Sequence, residues 1–306
     1  MCATKKTHLI IVPCHSVWKH DIIHNSSINL GHLAEHWFLA PFQFEGNDHL
    51  AFIKHGLKAI QTALHANSNE SIVVFSGSQT KKQARCMSEA QSYYLLIHRL
   101  ISKFQDYEFN IQEVFEDEFI IACLQDIINT LFEKKLTVDT FFLSSVATEE
   151  FALDSFENLL FSIYRFRQLA MDYPKKITIV GFGFKETRFL QYHAKAIDYP
   201  KQCINYIAID PVPPNYTAEQ LEGYYSELKV LEQRNAIQLF ELDMYGTREA
   251  LYGKKLSRNP FMRYPAYQDV SLFDLSNITG EDEEFFNKYI NGIMPWSVNR
   301  VLLNDS

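Results

Sequence analysis

Short apolar runs of strand length alternate along this chain with helix-length amphipathic stretches, and few architectures accommodate that order. It is the pattern of βαβ units, which set parallel strands side by side and pack the intervening helices on the sheet. The runs are residues 8–12, 71–75, 177–181 and 203–209, with a fifth expected at 140–143. Their near-continuous Ile, Val and Phe content suits strands covered on both faces. The expected fold is α/β: a doubly wound, mostly parallel Rossmann-like sheet of about five strands with helices on both faces.

The intervening segments carry helical periodicity. Met87, Ala90, Tyr94, Ile97, Ile101 and Phe104 recur at spacings of three and four, with Ser88 and Gln91 as a capping box. A second helix follows Asp154, which pairs with Glu157 as a cap; Phe156, Leu159, Ile163, Phe166 and Ala170 form its stripe, and Tyr173-Pro174 closes it. Residues 46–65 supply the crossover between the first two strands, and a third helix is expected over 185–197. Residues 105–135 read as an insertion beside the sheet. After Asp210-Pro211 the pattern loosens, so one domain is expected over 1–306, with its core at 8–210 and a helical or irregular extension at 211–306. No linker composition or internal repeat divides it.

With 306 residues and 47% hydrophobic side chains, the chain is large enough for a self-sufficient core. A net charge of -8 offers no general attraction to nucleic acid or anionic membranes, so neither is expected as a partner. Five cysteines without CxxC spacing, Cys2, Cys14, Cys86, Cys123 and Cys203, fit thiols in a reducing compartment. The segment up to Pro13 is too short and strand-like for a signal peptide, and no run reaches the length of a membrane-spanning helix. A soluble, cytoplasmic protein is expected.

In open parallel sheets, ligands gather outside the carboxyl ends of the strands. Ser76-Gly77-Ser78, followed by Gln79 and Thr80, leaves a predicted strand with small residues that let backbone N–H groups approach a ligand. Glu89, with Ser92 and Tyr93 on the same face, opens the next helix. A carboxylate there repels phosphate and suits a hydroxyl, an amine or a water. Glu149, Asp154, Ser155 and Asn158 concentrate polar groups before another helix; Asp154 and Glu157 are accounted for by capping, whereas Glu149 and Asn158 are not. Glu149 and Glu89 together offer paired carboxylates for acid/base work.

Lys185 and Arg188 share a face beyond Gly181-Phe182-Gly183 and suit an anion, although Glu186 breaks the dinucleotide fingerprint. His32 to His36 matches the H-x-x-E-H zinc-protease spacing but has no obvious downstream ligand, so no metal is expected. No G-x-S-x-G elbow is present.

Taken together, these segments resemble the SanA/YdcF-like family, a domain of unknown function, in its soluble fungal branch. The matching pieces are Pro13-Cys14-His15-Ser16-Val17-Trp18; residues 75–80 with Ser88-Glu89-Ala90 and Ser92-Tyr93; residues 149–158; Phe184-Lys185 with Arg188-Phe189 and His193; and Arg258-Asn259-Pro260-Phe261. The resemblance spans about residues 8–270 and implies a Rossmann-like sheet with polar positions at Ser76, Gly77, Glu89, Glu149, Ser155, Asn158 and Arg188. Ser78 stands where the family usually has a second Gly, and Pro13-Cys14-His15 where many bacterial members are Gly-rich. The membrane anchor of many bacterial members has no counterpart here. The resemblance brings S-adenosylmethionine forward as a ligand; the residues themselves assign no cofactor.

The leading expectation is a small polar or nucleotide-like ligand at the strand ends. A hydrolase or transferase would orient it with Ser76, Gly77 and Arg188 and move a proton with Glu89, Glu149 or His15. A non-catalytic binding or sensor module using the same pocket is the alternative, and residues 258–267 as a protein-partner surface are a third reading.

Overall fold

The computed structural model describes residues 5–20, 29–66, 70–105, 110–275, 278 and 280–297. Its sheet has five strands, all parallel: β1 (His8–Pro13), β2 (Ser71–Ser76), β3 (Val146–Glu149), β4 (Lys176–Gly181) and β5 (Ile204–Ala208), in the order β3-β2-β1-β4-β5. Alternate residues of β1 serve opposite faces. Ile10 and Val12 join a core with α1 (Asp48–His65), α2 (Glu89–Phe104) and α3 (Glu118–Glu133), while Leu9 and Ile11 join another with Phe156, Leu159 and Ile163 of α5 (Ser155–Ala170). Helices thus cover both faces, which is why the strand runs are mostly apolar on both faces rather than alternating.

The caps form largely as expected. Ser88 accepts from the Gln91 amide and Asp154 from the Glu157 amide, while the Glu157 carboxylate reaches past the cap to the Leu153 N–H at 2.8 Å. Helix α5 ends at left-handed Met171, φ 58°, before Tyr173-Pro174. Within the stretch expected as an insertion, α3 is integral to the first core, because it packs Ile120, Leu124 and Ile127 against it.

One expectation is corrected. Residues 140–143 are not a strand but part of α4 (Val138–Ser145), and the edge strand is β3. The Thr137 side chain caps α4 through the Thr140 amide, and Phe141 and Phe142 pack inward together, as helical neighbours do and strand neighbours do not. The helix expected over 185–197 forms without interruption over 186–196, entered by a 3-10 turn (Gly183–Lys185), with a π-helical middle (Arg188–His193) and a short last turn, α6 (Ala194–Ala196).

Beyond β5 the extension contains α7 (Ala218–Glu232), α8 (Gln238–Leu242), α9 (Glu249–Ser257) and α10 (Asp282–Tyr289). It returns Tyr245, Leu251, Tyr267 and Trp296 to the second core. Among the described residues no helix is long and apolar enough to cross a membrane. Cys14, Cys86, Cys123 and Cys203 are free thiols, and Cys2 lies outside the described residues.

Candidate functional site

The strand order locates the crevice. From β1 the chain winds outward through β2 to β3, then crosses to the other side of β1 for β4 and β5, so the winding direction reverses between β1 and β4. Crevices at such switch points receive ligands in open α/β sheets. Cys14 and His15 leave β1 there, and Phe182 to Lys185 leave β4.

Lys185 and His15 meet across this crevice, Nζ to Nδ1, at 3.4 Å. The His15 ring stacks on Phe182 with centroids 4.9 Å apart, and the Lys185 ammonium lies 5.1 Å from the Phe182 ring and 5.7 Å from that of Phe184. Burial and the Arg188 and Arg258 guanidiniums push the Lys185 amine down to about 7, against the pull of Glu232 and Asp48. Among the described residues, no carboxylate lies within ion-pair distance of Lys185. Burial and the charges of Lys185, Arg188 and Arg258 also hold His15 well below the usual imidazole range, hence neutral. Its Nε2 is buried with no hydrogen-bond partner among the described residues.

The surrounding groups are mostly committed. Arg188, expected to hold an anion, makes a two-pronged ion pair with Glu232, Nε to Oε1 at 2.8 Å and Nη2 to Oε2 at 3.1 Å. His55 closes the floor, with its Nε2 2.8 Å from the Ile209 carbonyl. The Asp48 carboxyl is pushed up to about 7 by burial, and its Oδ1 has no hydrogen-bond partner among the described residues. Arg258, immediately after α9, keeps an exposed side chain and anchors Nη1 on the Leu153 carbonyl at 3.1 Å.

The turn Ser76-Gly77-Ser78 is one strand away and is not an open cradle. Its N–H groups are spent: Gly77 donates to the Glu149 carbonyl at 3.0 Å and Ser78 to the Ala152 carbonyl at 3.1 Å. Ser76 donates to Glu149 Oε2 at 2.6 Å and accepts from Asn158 Nδ2 at 2.9 Å. Glu149 also receives the Phe151 N–H (2.7 Å), the Tyr267 hydroxyl (3.1 Å) and the Ala152 N–H (3.3 Å). Burial pushes its carboxyl up to about 7 while these donors pull it back. Four donors leave it little capacity to act on a ligand. The expected pairing of Glu149 with Glu89 as two working carboxylates is therefore reduced to Glu89.

Glu89 is better placed. Burial raises its carboxyl, Thr80 hydrogen-bonds to it, and Lys81, Arg258 and Lys185 act on its charge. Gly77 makes room for it, since a Cβ there would stand 2.9 Å from Glu89 Oε2 and 3.0 Å from the Cys14 Cβ.

Other expected positions are structural. Gln79 donates to the Cys86 carbonyl at 2.6 Å, and Ser92 links the Glu89 carbonyl (2.8 Å) to the Trp18 N–H (3.2 Å). Ser155 pairs with His193 Nε2 at 2.7 Å, and Asp154 and Glu157 hold the buried Lys255 ammonium at 3.2 Å and 2.9 Å. The fingerprint glycines are packing residues: Cβ atoms would lie 2.9 Å from the Tyr206 hydroxyl at Gly181 and 2.5 Å from Asp210 Oδ2 at Gly183. Asp210 also takes the Gly183 N–H that a pyrophosphate would need. His32 and His36 meet edge to face at 4.8 Å, and among the described residues no three His, Cys, Asp or Glu side chains converge as a metal site.

The structure therefore brings His15, Lys185 and Glu89 toward one crevice, adds Asp48 and Arg258, and turns Ser76, Glu149 and Asn158 into a structural clamp. Arg258 was legible only within a tail segment, because its place over the crevice depends on how the extension folds back. A groove of about 600 Å3 lined by Tyr94, Leu143, Thr148 and Arg165 runs along β3, two strands from the switch point.

No family model matches the chain, and no solved structure matches it. It is 49% identical over 303 residues to the "Uncharacterized protein YOR238W" of Saccharomyces cerevisiae (strain S288c), an alignment that covers 97% of this chain and 99% of the yeast protein.

Proposed function

We propose, from the premise that this chain belongs to the family of yeast YOR238W, that its β1–β4 crevice binds a small anionic molecule of nucleotide-like size. The observation that carries this reading is the Lys185 ammonium at the switch point, without a carboxylate partner among the described residues, with Arg258 nearby and the neutral His15 ring against it. An uncompensated cation in a partly buried crevice is costly, and an anion relieves that cost by pairing with it. Arg258 supplies a second cation that can swing onto the same ligand, and Glu89, whose carboxyl is raised by burial, is the group best able to move a proton.

A hydrolase or transferase using Glu89 is the leading form of this function. A non-catalytic binding or sensor module is the second form, favoured by the saturation of Glu149. The resemblance to the SanA/YdcF-like family keeps S-adenosylmethionine among the ligands to be tested. The setting we propose is cytoplasmic.

A thermal-shift panel of nucleoside phosphates, S-adenosylmethionine and inorganic pyrophosphate tests the reading. A ligand at about 100 times its dissociation constant stabilises by about 2.7 kcal/mol. The expected result is a raised melting temperature with at least one anion, lost in Lys185→Met and weakened in Arg258→Ala. An anion response that survives unchanged in both variants would place the site elsewhere, and no response to any compound would remove the reading.

A further inference from the structure

We infer that Lys185 is a carbonyl-reactive amine, and that the crevice takes anionic aldehydes or oxo acids that form an imine with its Nζ. This rests on the anion-binding reading and sharpens it. The geometry is that of an activated lysine rather than a charge clamp. Nζ is packed against Phe182 and Phe184, has no carboxylate within ion-pair distance among the described residues, and faces the neutral His15 ring at 3.4 Å.

The groups that act on it are the cations Arg188 and Arg258, which disfavour its ammonium form, and the acids Glu232 and Asp48, which favour it. Glu232 is bound to Arg188, and the Asp48 carboxyl is itself pushed up to about 7, so neither fully offsets burial. Near neutrality a sizeable share of Lys185 is free amine, whereas an ordinary lysine is about a thousandfold less so.

The step balances without an outside oxidant or reductant. The amine lone pair forms a bond to the carbonyl carbon while the C=O π electrons move to oxygen, which takes up a proton. The oxygen's proton comes from solvent; the nitrogen's proton passes by way of His15 Nδ1 to the carbinolamine hydroxyl, which then leaves as water, so that a protonated imine forms with one proton taken up overall. Arg258 is placed to hold the carboxylate or phosphate of the bound molecule, as the cation its reach over the Leu153 carbonyl leaves exposed.

Full-length protein at pH 7.4 would be incubated with glyoxylate and sodium cyanoborohydride, then read by intact mass and peptide mapping. Lys185 should be alkylated at least about tenfold faster than the other lysines, and inorganic pyrophosphate should protect it. Acetaldehyde, which lacks the anionic group, should react at Lys185 more slowly than glyoxylate. The adduct should vanish from that peptide in Lys185→Arg, and Arg258→Ala should retain the reactive amine but lose the preference for glyoxylate. Labelling spread evenly over surface lysines would overturn the inference. If pyrophosphate still stabilised that unselective protein, the anion crevice would stand and only the imine would fall. Selective labelling unaffected by pyrophosphate and equal for acetaldehyde would overturn the anionic ligand class.

Discussion

The Ser76 hydroxyl donates to Glu149 Oε2 at 2.6 Å, joining the carboxyl ends of β2 and β3 beneath the surface. Because Asn158, Tyr267 and two backbone amides complete the same network, its removal strands several buried polar groups at once. Glu149→Ala is expected to cost about 3 kcal/mol or more of stability, read as a lowered urea midpoint. A Glu149→Ala protein as stable as the parent would show that the clamp contributes nothing.

Lys255 sits between Asp154 and Glu157 with almost no exposure, 8% of its side chain. Burial opposes its charge, yet the two carboxylates outweigh that and hold the ammonium above its usual range. Lys255→Met leaves two buried carboxylates without a cation, so a loss of about 3–5 kcal/mol is expected. Limited proteolysis should then cut the segment around α9 first, because that helix loses its tie to α5.

Asp48 carries a pH signature. Its folded carboxyl sits at about 7 against 3.8 for an ordinary one, so the native state holds a proton that the unfolded chain releases between those values. Charging it therefore becomes a growing penalty as pH rises from about 4, complete above about 7. Asp48→Asn should raise the melting temperature at pH 8 and leave it nearly unchanged at pH 4. A variant less stable than the parent at pH 8 would contradict this.

The charge of Lys185 should be visible in anion affinity. Sulfate, whose charge is constant over the range, should bind more weakly as pH rises through about 7, where the ammonium is lost. Lys185→Met should bind more weakly at pH 6 and show a shallower profile, the remaining slope coming from Asp48, as measured by calorimetry.

The sheet was readable because both faces of each inner strand are covered, so residues 9–12 and 72–75 are unbroken apolar runs and 177–180 is interrupted only at Thr178. Residues 140–143 misled because a short Phe-rich run fits a buried strand and a helix alike, and the Thr137 cap decides between them. The candidate crevice lies one strand from Ser76-Gly77-Ser78 for a different reason. Lys185, His15 and Glu89 could each be named from their places near strand ends, but which ends lie side by side is a matter of strand order. Nor does Ser76-Gly77-Ser78 reveal that its amides are taken, since the carbonyls that take them belong to Glu149 and Ala152. Arg258 and Lys255 have only a loosely patterned, charged helix to announce them. Their partners, Leu153, Asp154 and Glu157, lie about a hundred residues earlier.

The lock at Lys255 also sets the order in which the crevice comes into being on the ribosome. The sheet can form once β5 has emerged, with His15 and Lys185 already facing each other. Arg258 follows Lys255 by less than one turn and reaches Leu153 only when α9 has docked on Asp154 and Glu157. A nascent chain that ends before this helix would present Lys185 without Arg258, so on the proposed reading ligand capture would be acquired late in synthesis.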